Sequence, residues 1–310
     1  MLKNIRVFLL KIKKIILNPR LLLCFLLCRF GSMFPDKHYL FLMYLLRMNK
    51  LLNLKSPKTF NEKLQWLKLY DRRPEYTIYA DKYAVREHIA NTIGEDYLIP
   101  LLGVWDKVED VPWNKLPNQF VLKCNHGSAM NIICTDKSKF DIDEAKIKLK
   151  KWLGQNHYYY GREWAYKNIK PKIICEKYMV DESGYELKDY KFFCFNGEVN
   201  SLFIATERSS DVKCDFFDPD FNHLPIKRGH ENSTNHINKP RSFELMKSLA
   251  KSLSNTIPHV RVDFYEIDGK IYFGEMTFYP AAGYAKFKPP EYDIVFGDWI
   301  NLPEKHKSRE

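Results

Sequence analysis

Residues 260–283 read V-R-V-D-F-Y-E-I-D-G-K-I-Y-F-G-E-M-T-F-Y-P-A-A-G. Two apolar runs flank Asp268-Gly269, a dipeptide that favours a hairpin turn. Polar side chains nevertheless alternate through both runs: Arg261 and Asp263 in the first, Glu275 and Thr277 in the second. Side chains alternate with a period of two, so loop length decides which of them share a face. A two-residue turn sends Asp263 and Glu275 to opposite faces. The reading adopted is a three-residue loop, Ile267-Asp268-Gly269, with Gly269 at the positive-φ position. Glu266 then pairs with Lys270, Arg261 lies opposite Glu275, Asp263 is diagonal to Glu275, and Thr277 follows on that face. Val260, Val262, Phe264, Tyr272 and Phe278 are left for the core. Two adjacent carboxylates repel unless a cation lies between them. A small set of hard oxygen ligands suits Mg²⁺, which takes its remaining ligands from phosphates and water. Taken alone, the same residues describe an Arg–Glu pair on a solvated sheet face.

Other stretches supply neighbours for that face. V-L-K-C-N-H-G-S-A-M-N-I-I-C (121–134) places Lys123 near a strand end, then a small-residue loop with Gly127 and Ser128, then a second strand. Backbone N–H groups of such a loop can cover phosphates, with the lysine as a point charge. K-I-I-C-E-K-Y-M (172–179) is an apolar strand running into Glu176, Lys177, Tyr178 and Met179, an edge able to read a flat ligand. Asp189 and Lys191 straddle the start of another strand, and Asn196-Gly197 turns it into a hairpin. Thr59 and Glu62 have capping-box spacing ahead of a helix over 59–70. Further helices are expected over 79–90, over 141–154 with Asp141 or Asp143 near its start, and over 242–255. Small sheets alternating with helices point to an α+β architecture.

Composition bounds the rest. With 310 residues and 45% hydrophobic content the chain can bury a sizeable core. The net charge is +11, yet residues 1–50 hold ten Lys/Arg against one acid, Asp36, so the other 260 residues carry only +2. A nucleic-acid-binding body would spread its basic residues over a domain face, and this one does not. The basic segment is also apolar (V-F-L-L-K-I-K-K-I-I-L, then L-L-L-C-F-L-L-C), and neither run has the ~20 uncharged residues that span a bilayer. It is expected to lie on an anionic inner-leaflet surface. Seven cysteines without a C-x-x-C are expected to be reduced core residues of a cytoplasmic protein.

In this order the pieces resemble the ATP-grasp superfamily, and most closely its TupA-like branch from bacterial capsule and cell-wall polysaccharide clusters. The resemblance covers the chain from about residue 77 to residue 303. It implies an ATP-grasp fold: a basic helical segment over 1–75, an N-terminal part over 76–180, a C-terminal part with the metal hairpin over 181–303, and a tail over 304–310. A-D-K-Y-A-V-R is similar to the start of the ATP-grasp region, which makes Lys82 the first nucleotide lysine and Lys123 the second. Glu176 to Met179 match the adenine hinge, and Asp189, Lys191 and Arg208, which follows the next strand, are candidates near the expected nucleotide cleft to touch ribose, phosphate or the acceptor carboxylate, or to be merely solvated. Arg261, Asp263 and Glu275 match the residues that stabilise the transferring phosphoryl group and bind two Mg²⁺, and Thr277 stands where the superfamily usually has an asparagine ligand. Ala129 stands where a glycine is common in the covering loop, and Pro280-Ala281-Ala282-Gly283 replaces the usual Pro-Gly.

The implied reaction is ATP-dependent ligation of a carboxylate to an amine through an acylphosphate. Tyr158, Tyr159, Tyr160, Trp164 and Tyr166, with Arg162 and Lys167 among them, suit a sugar as well as a core. The expected partners are therefore ATP, a glycan or lipid-linked saccharide carboxylate, and an amino acid or small amine. A metal-dependent glycosyltransferase would use a D-x-D pair. Asp141-Ile142-Asp143 reads instead as a helix cap and Asp218-Pro219-Asp220 as a turn.

Overall fold

A computed structural model describes residues 18–184, 186–208 and 211–304. The run V-F-L-L-K-I-K-K-I-I-L lies outside the described residues. Helix α1 (Pro19–Phe30) starts where Asn18 accepts the Arg20 and Leu21 amides and Pro19 opens the first turn. Helix α2 (Asp36–Met48) ends on Asn49 in the left-handed region, φ 58°. Helix α3 (Phe60–Tyr70) has the capping box: Thr59 Oγ1 accepts the Glu62 amide at 3.2 Å and Glu62 Oε2 accepts the Thr59 amide at 3.1 Å. This helix is buried nearly all round. Phe60 sits edge-on to Phe193, Phe195, Phe287 and Phe296.

The helix expected over 79–90 is broken. Helix α4 (Glu75–Ala80) stops, and α5 (Val85–Thr92) begins after a bend. Asp81 causes the break: its carboxylate accepts the amides of Tyr83 and Ala84, an Asx-type turn that competes with the helix. Lys82 therefore sits at a corner and not along a helix face.

Strands β1 (Leu101–Trp105), β2 (Phe120–Cys124), β3 (Asn131–Cys134) and β4 (Ile173–Lys177) form an antiparallel sheet in the order β1-β4-β2-β3. Helix α6 (Ile142–Leu153) covers it through Leu149, and Asp141, not Asp143, is its cap. The aromatic stretch 156–170 is mostly irregular, with a short helix α7 (Tyr158–Gly161) and a 3₁₀ turn over Trp164–Tyr166.

The second sheet has six antiparallel strands: β5 (Asp189–Phe195), β6 (Glu198–Thr206), β7 (Lys213–Phe217), β8 (His223–Leu224), β10 (Val260–Ile267) and β11 (Lys270–Thr277), in the order β11-β10-β5-β6-β7-β8. Asn196 and Gly197, both at positive φ, close the β5–β6 hairpin as their dipeptide predicts. Strands β7 and β8 carry no turn signal as clear as this and were not expected. Strand β9 (Lys227–Arg228) pairs with β12 (Phe287–Lys288), ahead of helix α9 (Tyr292–Asp298). Helix α8 (Phe243–Ser254) packs on the face of Phe192 and Cys194. The opposite face carries Phe193 and Phe195 against α3 and α9 at one end and charged residues at the other.

The 260–277 hairpin differs from expectation in a specific way. Its turn has two residues, Asp268 (φ 50°) and Gly269 (φ 79°), so Ile267 pairs with Lys270 and Glu266 with Ile271. Parity is then restored by a bulge: Phe264 pairs with Phe273, but Asp263 pairs with Glu275, leaving Gly274 as the extra residue. Asp263 lies directly opposite Glu275, not diagonal to it, and Arg261 opposes Thr277, not Glu275. A Cβ at residue 274 would lie 3.0 Å from the Asp263 carbonyl, which explains the glycine. The predicted core also shifts by one residue on β11. Ile271 and Phe273 are buried, while Tyr272 is half-buried opposite Tyr265.

Candidate active site

The charged end of the six-stranded sheet faces the loop that joins β2 to β3. Arg261 holds Asp263 with two hydrogen bonds, Nε to Oδ1 and Nη2 to Oδ2, each 2.7 Å. The same Nη2 donates to Glu275 Oε1 and Thr277 Oγ1, both at 3.1 Å. The Thr277 hydroxyl in turn donates to Glu275 Oε1 at 3.1 Å. Lys191, brought alongside by the β10–β5 pairing of Asp263 with Lys191, lies 2.5 Å from Asp263 Oδ2 and 2.5 Å from Asp189 Oδ2. Arg208 adds a guanidinium 3.5 Å from Asp189.

The covering loop is tied at its root and free at its tip. Asn125 donates to Asp81 Oδ1 at 2.8 Å and accepts the Lys172 amide at 2.7 Å. His126 Nε2 meets the Trp152 carbonyl at 3.0 Å. Beyond them Ser128 and Ala129 are exposed, and Ala129 adopts φ 56° where glycine would be unstrained. Gly127 is buried, and a Cβ there would strike Met130 Sδ at 2.8 Å. Lys82 spans the gap: its Nζ donates to the Gly127 carbonyl at 2.7 Å and lies 3.7 Å from Glu275 Oε2.

Burial alone would raise the Glu275 carboxyl, but Lys82, Lys191 and Arg261 outweigh it and hold the group well below the carboxylate range. Burial likewise acts to lower the Lys191 ammonium, and Asp189 with Asp263 overcomes it, so Lys191 stays charged. Such a preorganised cluster of opposed charges favours a ligand that is itself highly charged.

On the β2 side, Lys123 Nζ lies 2.5 Å from Glu176 Oε2, and Arg86, which the sequence reading missed, lies 3.7 Å from Glu176 Oε1. Lys123, Glu176, Lys177, Tyr178 and Met179 line a cleft of about 420 Å³ between the two sheets, closed on the far side by Arg208 and Tyr265. Lys123 thus belongs to the hinge end of the site, and Lys82 to the end with Arg261, Asp263 and Glu275. Arg86 lies on α5, Tyr265 on β10 and Arg208 just past the end of β6; Arg208 is marked in sequence by following that strand, whereas nothing local sets Arg86 or Tyr265 apart.

Among the described residues no group of three or more His, Cys, Asp or Glu is placed to hold a metal ion. Asp263, Glu275 and the Thr277 hydroxyl instead form a partial oxygen set, which is what Mg²⁺ uses when phosphates complete its shell. The donor chemistry fits a metal that arrives with a phosphate ligand.

The sequence matches the family profile described as TupA-like ATPgrasp over residues 62–301. The chain belongs to the TupA-like ATP-grasp family. Its fold is accordingly the α+β ATP-grasp fold, two sheets with a cleft between them. Solved structures similar to this ATP-grasp chain include an L-amino acid ligase from Bacillus licheniformis, at 14% identity and TM-score 0.44, with 75% of this chain and 50% of that one covered. A D-alanine–D-alanine ligase from Bacillus anthracis complexed with ATP shows 16% identity and TM-score 0.38, with 65% and 54% covered. The chain spans about half the length of these two enzymes. No curated protein matches it. Both D-x-D stretches are structural: Asp141 accepts the Glu144 amide at 2.8 Å, and Asp218 accepts the amides of Asp220 and Asn222 at 2.9 and 2.8 Å.

Proposed function

We propose that this protein is an ATP-dependent carboxylate–amine ligase that modifies a uronic-acid carboxylate of a capsular or cell-wall polysaccharide with an amino acid or small amine. The single observation that carries this is Lys82, which joins the covering loop to Glu275 at the point where Arg261 and Lys191 gather Asp263. A triphosphate whose base lies at residues 176–179 would end there. In this reading Lys82, Lys123, Gly127, Ser128, Glu176 to Met179, Asp189 and Lys191 form the nucleotide site. Asp263, Glu275 and Thr277 would hold two Mg²⁺, and the metal supplies neutralisation of the phosphate charge when bound. A substrate carboxylate oxygen bonds to the γ-phosphorus, the bond to ADP breaks, and the amine then displaces phosphate from the acylphosphate. No protein nucleophile is required; placement and charge stabilisation suffice. Arg261 acts on the charge that develops, while Lys123, at the hinge end, holds the nucleotide.

The N-terminal helices support a membrane-surface setting. No helix of the described residues is long and apolar enough to cross a membrane. Helix α1 does leave Leu23, Phe25 and Phe30 half-exposed, with Arg20 and Arg29 on the same helix, a combination suited to an anionic interface.

The test is ADP release from Mg²⁺–ATP with pooled uronates and amines. Release that needs both substrates and is absent from Asp263→Asn is expected. ATP binding no stronger than that of UDP- or GDP-sugars in thermal-shift titrations would overturn the assignment.

A further inference from the structure

A second cavity, of about 300 Å³, has Arg261, Glu275 and Thr277 in one wall and shares no lining residue with the hinge cleft. Glu163 lines it. This carboxylate is only 7% exposed, yet no hydrogen bond among the described residues ends on it. Its one ion-pair contact among those residues is His157 Nε2, 3.6 Å from Oε1. A buried carboxylate is costly unless a cation reaches it.

The backbone is forced to present it. Arg162, just before, adopts φ 54° and is 1% exposed. Its guanidinium is locked by Asp36 at 2.9 Å and by the carbonyls of Gly31 and Phe34. Left-handed backbone at a non-glycine residue persists only when its surroundings over-determine it, and it clusters at functional sites. Lys68 braces both rims, donating to the Gly161 and Ala282 carbonyls at 2.7 Å each. Gly161 leaves room for Glu163: a Cβ there would lie 3.0 Å from Oε1. At the mouth stands Arg47, exposed on α2 and without an ion pair among the described residues. Helix α2 lies outside the matched family region.

We propose that this cavity receives the incoming amine as a small α-amino acid, with its ammonium on Glu163 and its carboxylate on Arg47. The inference rests on the ligase reading above. His157, beside Glu163, takes one proton from the ammonium. The freed lone pair forms the C–N bond on the acylphosphate carbon, the C–O bond to phosphate breaks, and the second N–H proton leaves on the phosphate oxygen. One ammonium and one acylphosphate dianion thus give an amide, hydrogen phosphate and one proton.

Ligand-observed NMR on the full chain with Mg²⁺ and a non-hydrolysable ATP analogue tests this. The probes are the standard L-amino acids, D-alanine and putrescine. At least one amino acid binds saturably, and its N-acetyl and C-amide derivatives each bind roughly tenfold or more weakly. Glu163→Gln and Arg47→Met each weaken the free amino acid by a similar factor and leave the nucleotide affinity unchanged. Arg47 is exposed, so its variant reports even if Glu163→Gln does not fold, and the derivatives need no variant at all. The proposal is overturned if no amino acid binds, or if the N-acetyl form binds as well as its parent. Putrescine binding alone would overturn the role of Arg47. Failure of the wild-type protein to bind the nucleotide would overturn the ligase reading instead.

Discussion

Arg261 is one guanidinium shared by three partners. Its fork holds Asp263 while Nη2 reaches Glu275 and Thr277. A lysine ammonium has the charge but not the planar fork, so it cannot serve all three. Arg261→Lys is therefore expected to lower the rate of ADP release by roughly a hundredfold or more, as loss of a preorganised transition-state donor does. A rate within a few-fold of wild type would show that the fork is dispensable. At this scale the sequence was most informative where charge interrupts an apolar run. Arg261, Asp263 and Glu275 stand out for that reason, and Lys82 only through the resemblance of A-D-K-Y-A-V-R to the start of the ATP-grasp region. Glu163, Arg86 and Arg47 do not stand out: Arg47 sits in an apolar run and Glu163 in an aromatic one, yet each reads as an ordinary solvated charge until the chain around it is folded.

At the scale of the element, the hairpin shows why pattern alone is insufficient. A face with Arg261, Asp263, Glu275 and Thr277 together is read correctly, but by way of the wrong loop. The real turn has two residues, and the bulge at Gly274 supplies the missing step. Bulge and turn are interchangeable in their effect on parity, so sequence alternation cannot distinguish them. Gly274→Val should then either push Asp263 off its partner or shift the register. Overpacking at this contact is expected to cost roughly 1–3 kcal/mol, with a matching fall in the denaturation midpoint. The bend at Asp81 is of the same kind. A local side-chain–backbone bond overrides helical periodicity and turns Lys82 toward the covering loop.

Across the whole molecule, the buried helix α3 connects the site to the core. Burial draws the Lys68 ammonium down to about 7, against a weaker opposing pull from Glu163. An unfolded chain restores its ordinary value of 10.5. Between those two values the unfolded state binds a proton that the native state lacks, so stability rises with pH through that window and is flat below it. In Lys68→Met the rise is absent. The melting temperature of wild type relative to this variant should increase from pH 7 to pH 10, by roughly 2 °C or more. An unchanged difference would mean that Lys68 remains charged in the folded protein. The N-terminal helices make a prediction at the same scale. Replacing Leu23, Phe25 and Phe30 by serine should reduce co-sedimentation with phosphatidylglycerol vesicles several-fold, with ATP turnover in solution unchanged. Equal sedimentation of the two proteins would remove the case for a membrane-facing α1.

By itself the amino-acid order determined which segments pair and which residues are chemically unusual: capping boxes, Asn-Gly and Asp-Gly turns, and charges set into apolar strands are all local signals. The tertiary structure alone decided what those charges face. Lys82 meets Glu275 across 193 positions of chain, and Arg162 meets Asp36 across 126. Contacts of that separation depend on how sheets and helices pack, and packing is set by the summed burial of the whole core, which no short window of sequence contains.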